Sequence, residues 1–227
     1  MRLYLDSFDI TEMMRLLPSG LFAGVTTNPL LAERAGLIYS QICWDGLFSQ
    51  LDETPISECH IQLPDTTEAA LDFALMIQNK TADYSFTPVI KIPLTAEGVT
   101  LTPSIQKMGL PVLMTACTHA KQMFVAQALQ ADYIAPYFGR MEEAGRDGRA
   151  HLSQMKAIAS TAARPCRILV ASLRSVDQMC MLAEDGHEYM TISPALADSL
   201  LYDELTCSAT EDFIRAAQTH QTRTETV

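Results

Sequence analysis

The stretch PVIKIPL, Pro88 to Leu94, is an apolar run with one lysine, Lys91, at its centre. Such a run reads as a buried strand, because strands covered on both faces of a parallel sheet are near-continuous in Val, Ile and Leu. Lysine is rarely buried without a partner, since desolvation penalises the ammonium form and depresses its pKa. A neutral amine is a nucleophile. The plain alternative is a lysine that snorkels from a strand end to solvent, and at this point both readings stand.

Outward from this stretch, one alternation repeats along the chain. Strand-like runs occur at RLYLD (2–6), AGVTTN (23–28), CHIQL (59–63), PVIKIPL (88–94), PVLMTA (111–116), DYIAPYF (132–138), RILVASL (167–173) and EYMTISP (188–194). Helix-like segments such as ITEMMRLL, TEAALDFALMIQ and AKQMFVAQALQ fill the intervals. Pro18, Gly109 to Pro111, Arg164-Pro165 and Gly186 stand just before strands, where helices must end. Eight βα units without a linker predict an α/β protein, a single (β/α)8 TIM barrel over residues 1–206. A further helix over Thr210 to Thr219 and a disordered polar tail, QTRTETV, make up the rest of a C-terminal segment, 207–227.

At 227 residues and 48% hydrophobic, the chain can bury one large core. Its formal net charge of -11, with no basic run, argues against nucleic acid as a partner. Any anion it binds must be small and locally caged. Six scattered cysteines without a CxxC pair suit reduced thiols in a cytosol and read as core filler. The start, MRLYLD, lacks the apolar region of a signal peptide, and no apolar run reaches membrane-spanning length. A soluble, cytoplasmic protein that binds no membrane is expected.

Barrel active sites lie at the C-terminal ends of the strands, where side chains alternate between barrel interior and helices. Reading each run to its end gives Asp6, Thr26 and Asn28, Gln62, Lys91 and Thr115 on strands one to five. Strand six ends at Tyr137 with Arg140 beyond, and strand seven at Ser172 with Arg174 beyond. By parity, Tyr4, His60, Val89 and Val170 share the inward face, and Leu3, Leu5, Ile61, Ile90, Ile92 and Leu173 face the helices. Arg140 and Arg174 with Ser172 read as a phosphate clamp near the last strands. A salt bridge to Glu142, Glu143 or Asp147 is the plainer account of either arginine.

Six segments together then resemble the small transaldolases and fructose-6-phosphate aldolases: LYLD (3–6), GVTTNP (24–29), IKIPLTAEG (90–98), APYFGR (135–140), GRDG (145–148) and ASLRS (171–175). The resemblance implies that Lys91 forms a Schiff base with a ketone or ketose donor. It assigns Asp6 and Asn28 to the donor hydroxyls and the lysine, Thr115 to a catalytic water, and Arg140 and Ser172 to phosphate. Arg174 falls where relatives also carry a basic residue. Transaldolases generally have glutamate at the position of Gln62 and phenylalanine at that of Tyr137, so both residues are similar to the aldolase branch. An amide can orient water but cannot move a proton, and the acid/base task passes to Tyr137. The function implied is class I aldol cleavage or formation of a ketose phosphate such as fructose 6-phosphate from dihydroxyacetone and glyceraldehyde 3-phosphate. The alternatives are transaldolase transfer of a dihydroxyacetone unit and a non-catalytic sugar-phosphate-binding barrel.

This sequence departs from the pattern at Leu30, where relatives usually carry serine, which implies a reshaped donor side. The family also implies a homo-oligomer, ring-built as a pentamer or decamer. Its C-terminal segment is aromatic-rich there, whereas Phe213 is the only aromatic between Cys207 and Val227, which weakens the decamer inference. His60, one layer below Gln62, reads as a hydrogen-bonded core residue. No histidine pair falls at i, i+4 spacing and no glycine-rich nucleotide loop occurs, so neither metal nor cofactor is expected.

Overall fold

A computed structural model describes residues 1–67 and 69–221. Eight parallel strands close into one barrel in chain order: β1 (Arg2–Asp6), β2 (Phe22–Thr26), β3 (Glu58–Gln62), β4 (Thr87–Pro93), β5 (Val112–Cys117), β6 (Tyr133–Pro136), β7 (Arg167–Val170) and β8 (Tyr189–Ile192). Around them lie α1 (Ile10–Leu16), α2 (Pro29–Arg34), α3 (Trp44–Asp52), α4 (Ala69–Thr81), α5 (Ala96–Lys107) and α6 (Gln122–Ala128). The second half adds α7 (Phe138–Glu143), α8 (Gly148–Ala159), α9 (Val176–Glu184), α10 (Pro194–Leu201) and α11 (Glu204–Gln221). This is the expected (β/α)8 barrel with an added C-terminal helix. That last helix begins earlier than Thr210, because the Asp203 carboxylate accepts from the Thr206 amide and starts it at Glu204. Residues 222–227, most of the expected tail, lie outside the described residues.

Six of the barrel helices start at capping side chains, five of them placed in the loop after a strand and the sixth, Asp147, after α7. Asp9, Asn28, Thr95, Asp147, Ser175 and Ser193 each accept a hydrogen bond from an amide three residues on. After β1, β2, β4, β7 and β8 these caps fix where the βα loop turns, next to the strand-end side chains.

Two apolar layers hold the barrel. Leu5, Ile61, Ile90, Ile92, Met114 and Leu173 pack outward against the helices, while Tyr4, Val89, Leu113, Tyr133, Ala135, Leu169 and Ala171 fill the interior. Val170 corrects the parity expected from sequence: it packs outward, and Leu169 and Ala171 point in. The cause is Ser172, whose φ of 65° interrupts the alternation and brings a second consecutive residue to the mouth. β5 does the same at Ala116, with φ of 60°, so that Leu113 packs inward and Met114 and Cys117 outward while Thr115 and Ala116 both reach the mouth.

The floor of the barrel is polar. Glu58 accepts from the hydroxyls of Tyr4 (2.8 Å) and Tyr133 (2.9 Å) and lies 2.9 Å from His60 Nε2, and Arg167 donates to Tyr133. His60 is thus the hydrogen-bonded core histidine expected, fully buried between the two tyrosine rings. Burial keeps it neutral by lowering its pKa. Not all cysteines are core filler: Cys59, Cys117 and Cys166 are buried, but Cys43, Cys180 and Cys207 are exposed, because their helix or loop positions face solvent. Among the described residues, no helix is long and apolar enough to cross a membrane.

Candidate active site

A cavity of about 390 Å³ opens at the C-terminal ends of the strands, and all ten residues singled out from the sequence line it. Lys91 projects from the middle of β4, beside Gln62 of β3 in the strand register, and is only 4% exposed. That burial removes the snorkelling alternative. Its amine makes no hydrogen bond or ion pair among the described residues. Burial lowers the Lys91 pKa, and the Asp6 carboxylate opposes that shift. The close packing of α5 on this strand explains the glycine of IKIPLTAEG: a Cβ on Gly98 would lie 2.0 Å from the Pro93 carbonyl oxygen.

Asp6 is held from the side. The Thr26 hydroxyl donates to Asp6 Oδ1 at 2.7 Å and lies 2.6 Å from the Thr191 hydroxyl. A hydroxyl has one proton to give, so Thr191 is the donor to Thr26. Asn28 turns its oxygen to the Leu31 amide as the cap of α2, which leaves its NH2 for the cavity. The Tyr39 hydroxyl fixes the Gln62 backbone carbonyl. The Gln62 amide itself has no partner among the described residues.

Across the mouth, Thr115 Oγ1 and Tyr137 Oη are 3.1 Å apart. Burial raises the Tyr137 pKa and the bond with Thr115 opposes it, so the phenol carries its proton at neutral pH. Arg140 lies over the Tyr137 ring at 5.2 Å, without an ion pair among the described residues. Gly139 brings this turn against β7: its amide donates to the Ser172 carbonyl at 2.9 Å, and a Cβ there would lie 2.2 Å from the same oxygen. The two expected clamp arginines differ. Arg174 takes the salt bridge that is the plainer account of it, to Glu143 at 2.9 Å, whereas Arg140 does not.

Several lining residues escaped the sequence reading. Thr191 supplies the polar group of the eighth strand, and its signal is its place two residues beyond Tyr189 on the inward face. Arg34, Leu31 and Ala116 also line the cavity, the first two from a helix and the third through its left-handed backbone. Among the described residues, Asp6 is the only carboxylate that lines the cavity, set against Lys91, Arg34, Arg140 and Arg174. In a chain of net charge -11 this mouth is an island of positive charge.

The model of the family Transaldolase/Fructose-6-phosphate aldolase matches residues 3–227. Among similar curated proteins, a probable transaldolase of Hyphomonas neptunium is 29% identical over 96% of this chain and 97% of its own. One of Chelativorans sp. is 30% identical, covering 94% and 95%, and one of Streptococcus agalactiae serotype V is 27% identical, covering 95% and 96%.

Proposed function

The chain belongs to the transaldolase/fructose-6-phosphate aldolase family, and from that premise we propose that it is a Schiff-base aldolase, cleaving or forming a ketose phosphate such as fructose 6-phosphate. The observation that carries the aldolase reading is the hydroxyl pair of Thr115 and Tyr137 sharing a cavity with Gln62, where Asp6 is the only carboxylate among the described lining residues. Among the described residues no glutamate lines this cavity, which supports that reading over the proton transfers of a transaldolase.

The steps follow from these groups. Neutral Lys91 adds to the ketone carbon, and the carbonyl oxygen leaves as hydroxide to give an iminium. The adjacent carbon-carbon bond then breaks, its electrons forming an enamine. The proton of the departing aldehyde's hydroxyl neutralises the hydroxide to water. Protonation of the enamine carbon by the Tyr137 phenol, through water held by Gln62 and Thr115, restores an iminium that water hydrolyses to dihydroxyacetone and free Lys91. Asp6 holds the donor hydroxyls, and Arg140, Ser172 and Arg174 bind the aldehyde's phosphate, remote from the reacting carbons.

A second reading, transfer of the dihydroxyacetone unit to another aldose, is supported by the names of the relatives, probable transaldolase. A side-by-side assay of dihydroxyacetone release from fructose 6-phosphate and of sedoheptulose 7-phosphate formation on adding erythrose 4-phosphate separates the two. Release alone supports the aldolase, and preferred transfer overturns it. The exposed apolar side chains of α11, Leu205, Phe213 and Ile214, support a homo-oligomer, and the free cysteines support a reducing cytoplasm.

A further inference from the structure

One cation of the cavity has no part in the chemistry above. Arg34, the last residue of α2, lines the cavity and makes no hydrogen bond, ion pair or ring contact among the described residues. Its neighbour four residues back, Leu30, also lines the cavity, so one face of α2 is turned to the mouth. The barrel fixes where that face stands. In the closed order β1 to β8, β2 lies four strands from β6 in either direction, so α2 and α7 start on opposite sides of the mouth. Lys91, on β4, is two strands from each.

A ketose bound covalently at Lys91 therefore has two arms. One runs toward Tyr137, Arg140, Ser172 and Arg174, where the aldehyde's phosphate is received. The other runs along Gln62, Asn28, Thr26 and Asp6, which match a hydroxylated donor, and ends at the α2 face. A single phosphate on the far side cannot use Arg34. We propose that Arg34 forms a second anion subsite at the donor end, taking a phosphate monoester on the terminal carbon of the donor. The enzyme then accepts dihydroxyacetone phosphate as donor, and ketoses phosphorylated at both ends as substrates for cleavage. Leu30 beside it gives this side an apolar wall, so polar binding energy here comes from the charged contact.

This inference rests on Lys91 forming the imine, and the test keeps the two apart. In trapping, the Lys91 nitrogen bonds to the donor's carbonyl carbon, water leaves, and borohydride delivers hydride to that carbon, giving a stable secondary amine read by intact mass. Wild type and Arg34→Gln are titrated with dihydroxyacetone and with dihydroxyacetone phosphate. Loss of a charged hydrogen bond should raise the half-saturating concentration of the phosphorylated donor roughly tenfold to a hundredfold and move that of dihydroxyacetone by less than about twofold. Trapping of dihydroxyacetone also reports that the variant is folded, and Arg34→Lys should recover part of the loss. Equal titrations of the phosphorylated donor in both proteins overturn the subsite. So does a weakening shared with glyceraldehyde 3-phosphate as acceptor that disappears at high salt, which would make Arg34 a general steering charge. If wild type traps neither donor, the Schiff-base reading itself fails and the subsite falls with it.

Discussion

Thr26 donates its hydroxyl to Asp6 at 2.7 Å, and with Thr191 behind it this relay fixes a carboxylate in the cavity that Lys91 enters from β4. Two influences on the Lys91 amine oppose one another. Burial drives the amine toward its neutral form, and the Asp6 charge pulls it back toward ammonium.

Imine trapping with dihydroxyacetone should therefore rise with pH through a midpoint below the ordinary lysine value of 10.5. Asp6→Asn removes the influence that raises the pKa, so its midpoint should move to lower pH. Lys91→Met should give no adduct at any pH. An unchanged or higher midpoint in Asp6→Asn would show that the carboxylate does not act on the amine.

The second prediction concerns the floor. His60 is held neutral by burial, so its pKa in the folded protein lies below the 6.5 of the unfolded chain. As pH falls below about 6.5 the unfolded chain takes up a proton that the native His60 does not, and stability drops, by up to about 1.4 kcal/mol per pH unit. The contribution is absent above that window and grows with acidity until the native pKa is reached. His119 and His187, also lowered mainly by burial, act in the same direction. Urea unfolding at pH 7.5 and 5.5 should show a smaller loss for His60→Asn than for wild type. Glu58→Ala should destabilise at both pH values, by more than the roughly 1.5–3 kcal/mol of one charged hydrogen bond, since three donors lose their acceptor.

Strand periodicity made the barrel and most of its mouth legible, because a period of two maps strand-end residues onto one interior face. That rule fails where the backbone leaves the extended region. At Ser172 and Ala116 a left-handed residue resets the alternation, and neither is the glycine or asparagine that would advertise it. The misplacement of Val170 follows directly. Arg34 was hidden for a different reason: it sits on a helix, and only the closed ring of strands brings that helix face to the cavity. Thr191 precedes a Ser-Pro helix start, and its run reads as a loop entry as readily as a strand end.

Arg140 and Arg174 both line the cavity beyond β6 and β7, but among the described residues only Arg174 has an ion pair, to Glu143. Arg140→Ala should raise the KM for glyceraldehyde 3-phosphate by a factor equivalent to roughly 1.5–3 kcal/mol and leave that for glyceraldehyde nearly unchanged. Arg174→Ala should have a smaller effect, since its guanidinium is shared with an exposed carboxylate. Steady-state kinetics with the two acceptors reads the difference directly. Comparable losses for both acceptors would make Arg140 a structural residue of the α7 turn.

Tyr137 carries the branch choice. Its phenol is protonated, faces Thr115 at 3.1 Å and stands under the Arg140 guanidinium, so it can give a proton to water at the enamine carbon and recover it during hydrolysis. Tyr137→Phe removes the proton but keeps the ring beneath Arg140. Aldol turnover should fall roughly 10²-fold or more, the scale of a lost general acid/base, while borohydride trapping at Lys91 is retained. Chemistry would then stop after covalent capture. Adding Gln62→Glu to that variant returns a carboxylate beside the water and should shift the protein toward transfer, seen as sedoheptulose 7-phosphate formed from fructose 6-phosphate and erythrose 4-phosphate. If Tyr137→Phe releases dihydroxyacetone at the original rate, the proton comes from elsewhere, and Asp6, the only carboxylate lining the cavity among the described residues, becomes the group to test.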